Sequence, residues 1–98
     1  MSIPKHVVDE VRSRADIVTL IGQTVTLRRA GSAFVGLCPF HNEKSPSFNV
    51  VPSKQIFHCF GCGAGGDVFK FLQKTRGIGF IDAVKELAAQ TGVVVEER

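Results

Sequence analysis

A chain of 98 residues, 44% hydrophobic and 21% charged with a formal net charge of +3, has the composition of a single folded domain and excludes a disordered one. No stretch approaches the roughly 20 apolar residues of a membrane span, and Met1-Ser2-Ile3-Pro4-Lys5 lacks the apolar core of a signal peptide. The chain is therefore expected in the cytosol, where three cysteines point to metal or redox chemistry rather than a disulfide framework.

Pro4 suits the first turn of a helix in which Val7, Val8 and Val11 share one face. Asp16 can cap a second short helix over 17–21, stopped by Gly22. Residues 24–29 alternate, with Val25 and Leu27 on one side and Thr24, Thr26 and Arg28 on the other, as in a half-buried strand. Ala30-Gly31-Ser32 turns the chain into a second strand over 33–37. Strands follow over 47–51 and 55–59, joined by a turn at Pro52-Ser53. Residues 61–66 are glycine-rich and irregular. Asp67 can cap a helix running to about Lys74, with Val68, Phe71 and Leu72 inward, and Gly77-Ile78-Gly79 breaks it. The last helix, about 80–90, carries an apolar stripe of Phe80, Val84, Leu87 and Ala88 and ends at Gly92. Val93 to Val95 could add a short edge strand.

The expected fold is α+β: one domain over 1–98, with N-terminal helices at about 4–21, the sheet at about 24–66 and C-terminal helices at about 67–90. A domain of this size buries a limited core and often leans on a metal.

Cys38-x-x-His41 and Cys59-x-x-Cys62 form two ligand pairs separated by residues 42–58. Two residues between ligands is the spacing of a knuckle, a tight turn whose two side chains reach one ion. Two knuckles supply the four ligands of a tetrahedral structural zinc. Thiolates and an imidazole favour zinc over calcium, magnesium or manganese. The intervening strand, turn and strand bring the knuckles together as a zinc ribbon, with Gly61 and Gly63 where the second knuckle needs unusual backbone angles. Four protein ligands leave no open position, so the ion is expected to be structural. The competing reading is a redox Cys-x-x-Cys, but the βαβ surroundings of a thioredoxin-like site are missing. His58 adjoins Cys59 on a strand and should face the other way; His6 lies far off in the first helix. Neither is assigned as a ligand.

No catalytic residue is assigned. The run from Gly61 to Gly66 superficially resembles a phosphate-cradling loop, but it lacks the Lys-Ser/Thr ending. Between residues 28 and 76, Arg28, Arg29, Lys44, Lys54, Lys70, Lys74 and Arg76 face only Glu43 and Asp67, a local positive field suited to a polyanion. Phe34, Phe48, Phe57 and Phe60 sit among these cations. Phe is first a core residue, so most of these rings are expected to be buried, with Phe48 and Phe57 facing each other. The cations are the better candidates for contact: Arg28 on the polar strand face, Lys44 after the first knuckle, and Lys54 at the hairpin tip.

The run from Gly36 through Cys38-Pro39-Phe40-His41-Asn42-Glu43-Lys44-Ser45-Pro46 to Phe48, followed by Lys54-Gln55-Ile56-Phe57-His58-Cys59-Phe60-Gly61-Cys62 to Asp67, closely resembles the N-terminal zinc-binding domain of bacterial DnaG-type DNA primases. The resemblance covers essentially the whole chain. It implies a non-catalytic domain that engages single-stranded template DNA and helps choose where an RNA primer starts. It further implies that the chain is a fragment of a longer primase, a nucleotidyltransferase. The catalytic domain, acting in cis or in trans, would hold the divalent metal (Mg2+), and the rest of the protein would dock on the replicative helicase. Location in the bacterial cytoplasm at replication forks follows, with no membrane partner. The family's ligand set maps onto Cys38, His41, Cys59 and Cys62, and its template-contacting cations onto Arg28, Arg29, Lys44 and Lys54. Two departures stand out. Ser32-Ala33-Phe34 replaces a basic or amide residue followed by Tyr, and Gly79 replaces a helix-capping Ser. The alternative is a structural or protein-interaction zinc ribbon without DNA contact.

Overall fold

The computed structural model describes residues 3–42 and 44–95. Helix α1 (Lys5–Arg14) and helix α2 (Ile17–Gly22) come first, followed by strands β1 (Arg28–Ala30), β2 (Ala33–Gly36), β3 (Phe48–Val51), β4 (Ile56–Cys59) and β5 (Gly65–Gly66). Helices α3 (Val68–Arg76) and α4 (Phe80–Thr91) complete the chain. The strands form one antiparallel sheet in sequence order, with helices at both ends, as the α+β reading expects.

Local chemistry explains most element ends. Asp16 accepts from the amides of Val18 and Thr19 and opens α2. Asp67 accepts from the Lys70 amide and opens α3, which ends at Gly77 in the left-handed region (φ 65°). Gly79 offers no side-chain cap, yet α4 starts at Phe80 because the Ala83 amide bonds the Gly79 carbonyl at 3.0 Å.

The first strand differs from expectation. The alternation over 24–28 is present, with Val25 buried and Thr24, Thr26 and Arg28 exposed. The ladder nevertheless begins only at Arg28, because the amides of Thr24 and Val25 turn back to the Ile21 carbonyl and close α2. Beyond that turn the backbone runs against β2. A Cβ at Gly36 would lie 2.7 Å from the Thr26 carbonyl oxygen, so only glycine allows the approach. Residues 93–95 form no strand: the Val93 amide bonds the Ala88 carbonyl, finishing α4, and Val94 is 80% exposed. Strand β5 was not anticipated.

One sheet face carries the core. Phe48 and Val50 of β3 and Phe57 and Cys59 of β4 are buried there, against Val68, Phe71 and Leu72 of α3. Phe48 and Phe57 stack at 5.4 Å between centroids, although they sit diagonally, Phe48 pairing with Cys59 and Val50 with Phe57. Phe40 joins this cluster, 5.9 Å from Phe71 and 6.0 Å from Phe57. Phe60 departs from the expectation of buried rings: it is 74% exposed. On α4, Val84, Leu87 and Ala88 are buried, whereas Phe80 is partly exposed and lies edge-on to Phe69 at 5.4 Å.

Candidate metal centre

The two knuckles meet at one end of the sheet. The first follows β2, and its half-buried Phe40 packs against the core. That packing fixes the turn, so Cys38 and His41 on either side of it face a common point. The Phe40 amide donates to Cys38 Sγ at 3.4 Å, as a knuckle amide does toward a thiolate. The second knuckle leaves β4 directly. Cys59 exchanges backbone hydrogen bonds with Ala64 (2.7 Å) and Gly63 (2.9 Å), closing a tight loop around Cys62.

Its glycines have different reasons. Gly63 adopts φ 79°. Gly61 needs no unusual angle, contrary to the sequence expectation. It is favoured by close approach, since a Cβ there would lie 2.9 Å from both His41 Nε2 and Ser47 Oγ and one or both side chains would have to shift.

The candidate ligand atoms of Cys38, His41, Cys59 and Cys62 all lie within 4.8 Å of one another. Cys38 Sγ and Cys62 Sγ are 3.8 Å apart. Two thiolates on one tetrahedral zinc, each about 2.3 Å from it, are separated by about 3.8 Å. The donor set and its spacing therefore fit zinc. Cys38 and Cys59 are buried, His41 is half-buried with its Nδ1 closed off from solvent, and Cys62 is exposed.

The sulfurs differ electrostatically. Burial pushes the Cys38 thiol up to about 12. At Cys59 burial works in the same direction, but hydrogen bonds from the Ser47 hydroxyl and from the Cys62 and Gly61 amides outweigh it and bring the thiol down to about 7. The second knuckle is thus built to carry a thiolate. His58 lies outside the cluster; it is exposed, its ring edge-on to Phe60 at 4.7 Å.

The four cations singled out from sequence are all exposed but do not form one patch. Arg28 and Arg29 are neighbours on β1 and so project to opposite faces. Arg29 Nε donates to the Gly31 carbonyl at 3.3 Å. Lys54 lies in the β3–β4 turn and Lys44 in the β2–β3 connection. The antiparallel order places these connections at opposite ends of the sheet, Lys44 at the metal end. Other cations are engaged: Lys74 lies over the Phe40 ring at 5.2 Å, Arg12 pairs with Asp67 at 3.2 Å, and Arg76 pairs with Glu86. No helix among the described residues is long and apolar enough to cross a membrane.

Residues 3–98 match the CHC2 zinc finger family, and the chain belongs to that family. It is a zinc-binding domain of the DNA-primase type. It is 56% identical over 91 residues to a DNA primase of Geobacillus stearothermophilus, covering 93% of this chain and 15% of the relative. A DNA primase of Enterococcus faecalis is 58% identical over 86 residues, covering 88% of this chain and 14% of the relative. The crystal structure of the Aquifex aeolicus primase, comprising its zinc-binding and RNA polymerase domains, superimposes with a TM-score of 0.85 at 43% identity. That match covers all of this chain and 23% of the other. The chain therefore spans about 15% of the length of the curated relatives it matches.

Proposed function

We propose that this domain binds single-stranded template DNA for a DNA primase and helps select where RNA primer synthesis starts. Cys38, His41, Cys59 and Cys62 would hold one structural zinc. The ion supplies no reaction chemistry; it ties the end of β2 to the end of β4. Polymerisation, with its Mg2+, and docking on the replicative helicase would belong to the rest of a longer protein working in the cytoplasm at replication forks. The domain would meet its catalytic partner in cis or in trans.

The observation that carries this reading is a set of exposed cations available on a primase-type zinc domain. No ion pair among the described residues engages Arg28, Lys44 or Lys54. Each phosphate neutralised steepens the salt dependence of binding by roughly one unit of slope. The test is the double variant Lys44→Ala/Lys54→Ala. It is expected to bind single-stranded DNA more weakly, with a shallower salt slope, and to initiate fewer primers within the full-length enzyme at unchanged Tm. Normal initiation by that variant removes the template role of the two lysines. It would leave a structural or protein-interaction ribbon as the alternative.

A further inference from the structure

Strand β3 supplies none of the four candidate ligands, yet the residue just before it reaches the metal centre. The hydroxyl oxygen of Ser47 lies 3.5 Å from Cys59 Sγ. The backbone that carries this hydroxyl is itself held: the Ser47 carbonyl accepts the Phe60 amide at 2.9 Å and the Asn49 side-chain amide at 3.2 Å. Ser47 is half-buried, and Phe48 beside it is fully buried. A half-buried hydroxyl on a fixed backbone has few directions to turn, and this one is aimed at a sulfur.

Ser47 also stands against the other knuckle. A Cβ at Gly61 would lie 2.9 Å from Ser47 Oγ, 2.9 Å from His41 Nε2 and 3.1 Å from His41 Cε1. The hydroxyl and the imidazole thus converge on one spot, which glycine leaves open. Cys59 belongs to the second knuckle and His41 to the first, so a single side chain borders a candidate ligand from each.

We infer that Ser47 is a positioning residue of the zinc centre: its hydroxyl donates to Cys59 Sγ and fixes that ligand relative to the sheet. The direction of the bond follows from the chemistry. A metal-bound thiolate carries no proton and can only accept, so the hydroxyl is the donor when zinc is present. The amides of Gly61 and Cys62 also donate to Cys59, but they belong to the same knuckle and move with it. Ser47 enters from the stretch leading into β3, and its bond ties the thiolate to the middle strand. Without the hydroxyl the sulfur keeps its knuckle donors and loses this tie. The lone-pair density drawn toward the Ser47 proton is returned to the metal–sulfur bond, and the site holds zinc less tightly. The inference rests on the zinc reading above.

The experiment compares wild type with Ser47→Ala, Ser47→Thr and Ser47→Val. Thr and Val match in shape and differ in the hydroxyl. Each protein is loaded with zinc, its metal content is measured, and affinity is read by competition with a chromophoric chelator. Cobalt(II) then replaces zinc, and the thiolate-to-cobalt charge-transfer absorption is recorded. Ser47→Ala and Ser47→Val are expected to bind zinc about 10- to 100-fold more weakly, with the charge-transfer band moved to lower energy. Ser47→Thr should keep wild-type affinity and a wild-type band. Ser47→Ala removes a single oxygen and leaves the backbone bonds in place, so it decides the matter even if the bulkier variants fail to fold. A wild-type band and affinity in Ser47→Ala overturn the role of the hydroxyl while leaving the zinc reading standing. Equal losses in folded Ser47→Thr and Ser47→Val overturn it in favour of the shape of the site. Failure of wild type to take up stoichiometric zinc overturns both readings.

Discussion

The side-chain carbonyl of Gln55 accepts the backbone N–H of Ile17 at 3.1 Å, tying the hairpin tip to the start of α2. The amide nitrogen of the same side chain donates to the Ala15 carbonyl. One residue thereby satisfies both backbone groups at the junction of the N-terminal helices. Gln55 does so from a left-handed backbone (φ 53°), uncommon for a residue other than glycine. Gln55→Ala keeps the strained angle and leaves both partners without it, and should cost about 1–3 kcal/mol. Gln55→Gly relieves the angle and should lose less. Urea denaturation of the two variants checks the order; equal loss would mean that the angle carries no strain.

Metal removal provides the second prediction. The ligands come from both ends of the central hairpin, so a strong chelator or Cys59→Ser should abolish stoichiometric zinc and disrupt the sheet. Circular dichroism unchanged after verified zinc loss would contradict this. The Cys38 thiol, pushed up to about 12, holds its proton at neutral pH until metal displaces it. Zinc loading at pH 8 should therefore release at least one proton per ion, and affinity should weaken as pH falls. A titration in weak buffer with a pH indicator measures the release.

Gly61 gives a third. Ala at this position must push against His41 Nε2 and Ser47 Oγ, each 2.9 Å from the new Cβ. Both side chains matter to the site: His41 is a candidate ligand, and Ser47 Oγ is a hydrogen-bond partner of Cys59 at 3.5 Å. Disturbing such supporting contacts typically weakens metal binding by about 10- to 100-fold. Competition with a zinc indicator reads the change. Gly63→Ala acts instead through its φ of 79°, and should lower Tm more than it alters metal selectivity.

The two arginines of β1 should separate. Arg28 shares its face with His58 through the row Arg28, Val35, Asn49 and His58, whereas Arg29 pairs with Phe34 and faces the other way. Arg28→Ala is expected to weaken single-strand binding and reduce the salt slope by about one. Arg29→Ala should leave the slope nearly unchanged. Equal effects from both would place the strand across the sheet edge rather than on its solvent face.

What could be read from the amino acids follows how local each signal is. The knuckle spacings, the Asp16 and Asp67 caps and the helix ends at Gly77 and Gly92 involve residues a turn apart, and the sequence displays them directly. Strand β5 left no trace, because Gly65-Gly66 has no side-chain pattern and is a strand only through its pairing with β4. The late start of β1 depends on a turn back to Ile21. The Gln55 clamp joins residues 38 and 40 positions apart. Composition misleads at Phe60, since a phenyl ring counts as core wherever pattern alone decides. Its place one step beyond Cys59 could have signalled otherwise: with Cys59 turned inward, the next side chain on an extended strand points outward.

The two knuckles close on either side of β3, one at the end of β2 and the other at the end of β4. They clamp the outer members of a three-strand unit whose middle strand supplies none of the four candidate ligands. A slip of β4 by one residue would carry Cys59 away from Cys38 and bring His58 and Phe60 under the sheet. An ion that accepts only one separation of the knuckles therefore works as an indexing pin. It selects which surface of the ribbon the solvent meets, a choice that four-residue strands are too short to enforce through their own ladder.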